Sequence, residues 1–232
     1  MKLLLISNSG KPFLDHCMGQ IAAFLGGARR VAFVTAANLY DEAAYYERAR
    51  AALGAAPPAG CRADVLHLRW DADPLAVLEC AEALFVGGGN TYTLLKRLRE
   101  AGLLDPIRAR VRAGMPYIGA SAGSNVAGPT ILTTNDWNVV GLAAFDALGL
   151  VPFNINPHYL ETDPVMASGS ETRDERIREY HVVWKNPVVG IEEGTLLRVE
   201  EGQVTVLGRG RVKVLERGRE PRWCRPGERV EV

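Results

Sequence analysis

The residues with the clearest chemical signature are Gly119-Ala120-Ser121-Ala122-Gly123. Glycines flanking an x-Ser-x core let a strand turn sharply into a helix. The serine is then exposed at the turn, and the helix N-terminus favours negative charge beside it. The pentapeptide ends the apolar run 116–119 and opens a short helical segment over 122–127, which is the context such an elbow needs. Ser121 is therefore a candidate nucleophile; the alternative is that it only caps the helix. A serine attacks when a base takes its proton. Of the four histidines, His67 falls in an expected strand and His16 and His181 in expected helices. His158 instead follows the apolar run 148–153, in Asn154-Ile155-Asn156-Pro157-His158-Tyr159, where Pro157 stiffens the backbone before it. An imidazole, with a free pKa of about 6.5, suits the role of base at neutral pH. A third feature, Val86-Gly87-Gly88-Gly89-Asn90, again joins a strand to a helix. Its N–H groups could cradle a phosphate, supply half of an oxyanion hole, or merely form a tight turn. No Gly-Lys-Ser/Thr follows and the G-x-G-x-x-G spacing is absent. In the oxyanion reading Gly88 or Gly89 gives one donor and Ala122 the other, and the chemistry is acyl transfer without metal or cofactor.

These residues need a scaffold. Apolar runs of strand length recur at 2–6, 30–35, 63–68, 83–86 and 116–119. Helical spacing fills the stretches 12–25, 41–53 and 91–101, with Leu94, Leu95 and Leu98 on one side of the last. Short apolar runs alternating with helices predict βαβ units and a parallel sheet covered on both faces. Beyond Ala127 the alternation weakens; a helix is expected over 171–183 and strands over 188–192, 196–200 and 203–207, with Glu201-Gly202 as a hairpin turn. The expected fold is a doubly wound α/β domain spanning 1–232, with an antiparallel C-terminal extension. Residues 54–60 read as a surface loop. In such sheets ligands bind at the carboxyl ends of the strands, where all three chemical features fall.

The 232 residues suffice for one domain with its own core. Lys plus Arg and Asp plus Glu number 27 each, so no bulk basic excess invites nucleic acid; the basic stretch 209–229 reads as a solvated surface. Cys17, Cys61, Cys80 and Cys224 are scattered without metal spacing, which suggests free, mostly buried thiols in a reducing cytoplasm. The apolar start, residues 3–6, is too short for a leader or a membrane span.

Several motifs together resemble the peptidase E/cyanophycinase family of serine peptidases. They are Val86–Asn90, Tyr117–Val126, Thr133-Thr134-Asn135-Asp136, Asn156-Pro157-His158-Tyr159 and Glu171-Thr172-Arg173, in that order over nearly the whole chain. The resemblance implies a glutamine-amidotransferase-like α/β fold and a cytoplasmic serine dipeptidase acting on dipeptides with an N-terminal aspartate. A small peptide is then the partner, with no nucleic acid, membrane or cofactor, and a homodimer is admitted. It also implies Ser121 as nucleophile and His158 as base. For the acid it offers Asp136 first and Glu193 as competitor. Arg173 and Asn90 are expected to bind substrate, and residues 160–170 to form a mobile loop near the site. Ala120 and Trp137-Asn138 depart from the family pattern and leave the pocket shape open. A cyanophycinase-like or isoaspartyl peptidase, and a non-catalytic binding module on the same scaffold, are the alternatives.

Overall fold

In the first strand Leu3 and Leu5 face one side and Leu4 and Ile6 the other, and all four are fully buried. A strand with no solvated face must lie inside a sheet covered by helices on both sides. The computed structural model describes residues 1–55, 57, 60–161, 169 and 171–232. The chain runs β1 (Lys2–Ile6), α1 (Met18–Leu25), β2 (Arg30–Val34), α2 (Glu42–Gly54), β3 (Asp64–Leu68), α3 (Pro74–Cys80), β4 (Ala83–Val86), α4 (Thr91–Glu100), α5 (Leu104–Arg112), β5 (Tyr117–Ala120) and α6 (Ala122–Asn125). It continues with β6 (Asn154–Tyr159), α7 (Arg173–Val183), β7 (Val188–Glu192), β8 (Thr195–Glu200), β9 (Gln203–Gly208), β10 (Val212–Leu215) and β11 (Arg222–Cys224).

The main sheet has seven strands in the order β3-β2-β4-β5-β1-β8-β9. The first five are parallel, and β8 and β9 add to the β1 edge antiparallel. This is the expected doubly wound sheet with its antiparallel extension. Leu94, Leu95 and Leu98 of α4 pack with Leu3, Leu5 and Val86 on one face, while Met18, Ile21 and Phe24 of α1 pack with Leu4, Ile6 and Phe33 on the other.

Three features depart from the expected layout. Val188–Glu192 does not join the main sheet; it pairs parallel with β6 in a second sheet of four strands, β11-β10-β7-β6. β6 itself contains Asn154, Asn156 and Pro157, a composition that reads as a loop, yet those asparagines are buried and bonded. Helix α5 carries too weak an apolar pattern to be expected, because only Ile107 and Val111 are buried among its arginines; Pro106 sits in its first turn, where a missing N–H costs nothing.

The thiols are free, as expected, but only Cys17 and Cys224 are buried; Cys61 is half-buried and Cys80 exposed. Burial pushes the Cys17 thiol up to about 12, which leaves it inert as a nucleophile at neutral pH. Among the described residues no helix is long and apolar enough to cross a membrane. The loop anticipated over 160–170 lies, apart from Leu160, Glu161 and Gly169, outside the described residues.

Candidate active site

Parallel strands β1, β2, β4 and β5 are followed directly by Ser7, Thr35, Gly87 and Ser121, all at the same edge of the sheet. Ser121 has φ 53° and ψ −110°, a conformation that costs an L-residue about 1–3 kcal/mol. The turn is held by its neighbours in β1, β4 and β5. Ser121 N–H donates to Ile6 O at 3.0 Å, and its carbonyl accepts from the N–H groups of Ser124 and Asn125. A Cβ on Gly123 would lie 2.0 Å from Val86 O, so the first turn of α6 reaches β4 only with glycine there. Tyr117 Oη donates to Gly123 O at 2.6 Å and Ser124 Oγ to Gly119 O at 2.7 Å, which locks the elbow from inside.

His158 reaches this serine from the second sheet. In the β6–β7 register Pro157 faces Ile191 and Tyr159 faces Glu192, and the irregularity between them is His158 at φ 54°. A bulge re-aims a side chain. Here it carries His158 Nε2 to 2.7 Å from Ser121 Oγ and Nδ1 to 2.5 Å from Glu193 Oε1. With Nδ1–H donating to the carboxylate, Nε2 is left to accept the serine hydroxyl. Two other histidines, His67 and His181, are engaged elsewhere. His67 Nε2 lies 3.0 Å from Thr35 Oγ1 with its ring stacked on Tyr46, and His181 Nε2 lies 3.2 Å from Asn186 O.

Asp136 does not face the imidazole, contrary to the first expectation. Its Oδ2 accepts from Thr91 N at 2.7 Å, Thr91 Oγ1 at 2.6 Å and Thr134 Oγ1 at 3.2 Å, so it holds the N-terminus of α4. Asn90 is likewise consumed in the scaffold. Its Oδ1 caps α4 by accepting from Thr93 N at 2.9 Å, and its Nδ2 donates to Trp137 O at 2.9 Å, which leaves only the second Nδ2 hydrogen for a substrate. Within the glycine loop, Gly88 N–H already donates to Tyr45 Oη at 2.8 Å. Gly89 and Ala122 N–H have no acceptor among the described residues.

Arg173 opens α7 and is half-buried. Its Nη1 donates to Asn135 Oδ1, and Asn135 Nδ2 donates to Pro157 O at 2.8 Å, which ties the arginine to the backbone next to His158. Among the described residues it has no carboxylate partner, since Asp174 bonds Lys213 and Tyr159 and Glu175 closes a capping box with Thr172. Burial, with Arg176 nearby, lowers its pKa from the ordinary value. A cavity of about 170 Å³ bounded by Asn135, Trp137, Asn156, Arg173 and Arg176 lies in front of it.

Ser7 and Asn8 are site residues that motif reading passed over. Ser7 Oγ accepts from His158 N–H at 2.9 Å and donates to Ile191 O at 2.9 Å, so one buried hydroxyl joins β1 to both strands that carry the imidazole and the carboxylate. Asn8 Oδ1 accepts from Gly194 N–H at 2.9 Å and fixes the turn after Glu193. Their position just past β1, at the carboxyl edge, was the available signal. Ser7→Ala leaves a buried N–H and a carbonyl unpaired at about 1–3 kcal/mol. It is expected to lower the melting temperature and kcat together. An unchanged kcat would separate this bridge from the placement of His158.

A serine, an imidazole and a carboxylate in hydrogen-bonded series, at the carboxyl edge of a parallel α/β sheet, form the constellation of a serine hydrolase. Comparison with known proteins narrows the class. The model of peptidase family S51 matches residues 3–207. Peptidase E of Streptomyces coelicolor is 46% identical over 201 residues, covering 85% of this chain and 80% of that protein. A probable alpha-aspartyl dipeptidase of Drosophila melanogaster is 45% identical over 202 residues, covering 84% and 82%. A solved putative peptidase E from Listeria monocytogenes shares the fold, with a TM-score of 0.69 at 24% identity over 90% of this chain and 98% of that one. The chain belongs to peptidase family S51.

Proposed function

We propose that this protein is a cytoplasmic, single-domain serine dipeptidase that cleaves dipeptides with an N-terminal aspartate. The observation that carries this reading is the continuous Ser121–His158–Glu193 series. Ser121 Oγ attacks the peptide carbonyl carbon while His158 Nε2 takes its proton. Glu193 holds the ring and stabilises the imidazolium. The N–H groups of Gly89 and Ala122 take the oxyanion. On collapse the C–N bond breaks, and His158 gives its proton to the leaving amine. Water then adds to the acyl-enzyme, losing a proton to Nε2. The second collapse returns that proton to Ser121 and releases the free aspartate.

Arg173 is the group suited to the aspartate side chain. A guanidinium forks onto a carboxylate, and one that is half-buried with no carboxylate partner among the described residues gains most from a ligand that brings one. The relatives named peptidase E and probable alpha-aspartyl dipeptidase support the same substrate class. The test is one panel of Asp-Leu, Asn-Leu, Ala-Leu and isoaspartyl-Leu. Asp-Leu is expected to dominate kcat/KM; a preference for the isoaspartyl bond would transfer the reading to that bond, and no turnover of any would favour a binding module. A charged hydrogen bond contributes about 1.5–3 kcal/mol, so Arg173→Ala should lower kcat/KM for Asp-Leu roughly 10- to 150-fold. Ala-Leu should lose much less. Equal losses would make Arg173 a support for Asn135 and the Pro157 backbone instead.

A further inference from the structure

The glycine loop after β4 is confined on three sides. A Cβ on Gly87 would lie 2.6 Å from Tyr45 Oη, one on Gly88 would lie 3.0 Å from Ser121 Cβ, and one on Gly89 would lie 2.3 Å from Ala37 O. The loop therefore threads between a tyrosine from α2, the Ser121 side chain and the backbone that follows β2. Tyr45 is buried, with its ring edge-on to Phe13 at 5.8 Å and to Phe33 at 5.3 Å, so its hydroxyl occupies a fixed place. Burial raises its pKa, which keeps the hydroxyl protonated at neutral pH. Around it the loop's N–H groups are assigned one by one. Gly87 donates to Val34 O at 3.0 Å, Gly88 to Tyr45 Oη at 2.8 Å and Asn90 to Ala37 O at 2.8 Å. The peptide that carries Gly89 N–H lies between two anchored peptides and, among the described residues, has no acceptor of its own.

We infer that Tyr45 is a positioning residue for oxyanion stabilisation: by taking the Gly88 N–H it fixes the loop so that Gly89, with Ala122, presents the donors to the reacting carbonyl. Such donors act because they are aimed before the charge develops, so a loop free to turn loses their effect in the transition state rather than in substrate binding. The inference rests on Ser121 being the nucleophile.

Tyr45→Phe keeps the ring and removes only the hydroxyl, and with it the acceptor for Gly88. Losing one oxyanion donor outright costs about 100- to 1000-fold in kcat, so a misaligned donor is expected to cost roughly 10- to 100-fold. KM for Asp-Leu should stay within about twofold. Affinity for an aspartyl boronic acid, which forms a tetrahedral adduct on a serine Oγ, should fall by a factor similar to kcat. A purely structural role would lower the melting temperature without splitting kcat from KM. A second measurement needs no variant: in the unaltered enzyme, boronate binding should move the Gly89 amide proton downfield and leave that of Gly88 in place. Unchanged kcat and boronate affinity in Tyr45→Phe, or a shift at Gly88 in place of Gly89, would overturn the inference while leaving the serine reading intact. That reading fails separately, if the boronate forms no adduct or Ser121→Ala retains activity.

Discussion

Replacing Ser121 by alanine is expected to leave the fold in place and to lower kcat on Asp-Leu by about four to six orders of magnitude. The fold should survive because the elbow is held by backbone and by neighbours: Ser121 N–H on Ile6 O, Tyr117 on Gly123 O, and Ser124 on Gly119 O and Ile6 O. The hydroxyl itself bonds only His158 among the described residues. The effect on turnover is large because no neighbouring group can take over the attack. Ser7 Oγ is committed to His158 N–H and Ile191 O, and burial holds the Cys17 thiol protonated. Alanine at 121 inherits φ 53°, so backbone strain is common to both proteins and cancels in the comparison. The check is steady-state turnover of Asp-Leu beside thermal melts of the two proteins. Turnover near the parent rate with an unchanged melt would remove Ser121 from the mechanism and the acyl-enzyme with it.

The elbow was legible in the sequence because its determinants are local. Strand, glycine, serine, glycine and helix follow one another in a few residues, and that order is readable before the contacts with Ile6 and Val86 that hold the turn are known. The parallel sheet was legible for a similar reason, since strands buried on both faces, such as Leu3–Ile6, are apolar throughout. His158 was legible as a candidate but its strand was not. Asn154, Asn156 and Pro157 carry loop chemistry, and only tertiary partners overturn it: Thr130 takes Asn154, and Thr133 O with Asn135 takes Asn156. Asn90 is the converse case. An Asn directly before a helix is first of all an N-cap, and the cap satisfies its carbonyl before any ligand arrives. Tyr45 lies on a helix whose pattern announces nothing but packing; its hydroxyl acquires meaning only where α2 passes the glycine loop.

Glu193→Gln is expected to lower kcat by roughly 100- to 10,000-fold, and Asp136→Asn by less than about tenfold with a lower melting temperature. Both acids occur in family-like motifs, and neither chain order nor local spacing ranks them. Pairing of β6 with β7 does. It sets Pro157 against Ile191 and Tyr159 against Glu192, so the residue past the end of β7 emerges beside the residue displaced by the bulge in β6. That brings Glu193 Oε1 to 2.5 Å from His158 Nδ1. Glutamine there preserves length and an acceptor oxygen but removes the charge that the imidazolium needs as the serine proton arrives, so the loss should fall on kcat more than on KM. Asp136 carries a different load. Its Oδ2 takes the Thr91 N–H and hydroxyl at the start of α4, where a negative charge also meets the helix dipole. Asparagine keeps an acceptor there but loses the charge, which acts on stability, and on turnover only through α4 and the glycine loop that precedes it. Measuring both variants against Asp-Leu at one pH, with melting curves for each, ranks the two acids directly. The reverse order, with Asp136→Asn the more damaged in kcat at an unchanged melting temperature, would move the acid's role to Asp136 and leave the Glu193 contact without a part in the reaction.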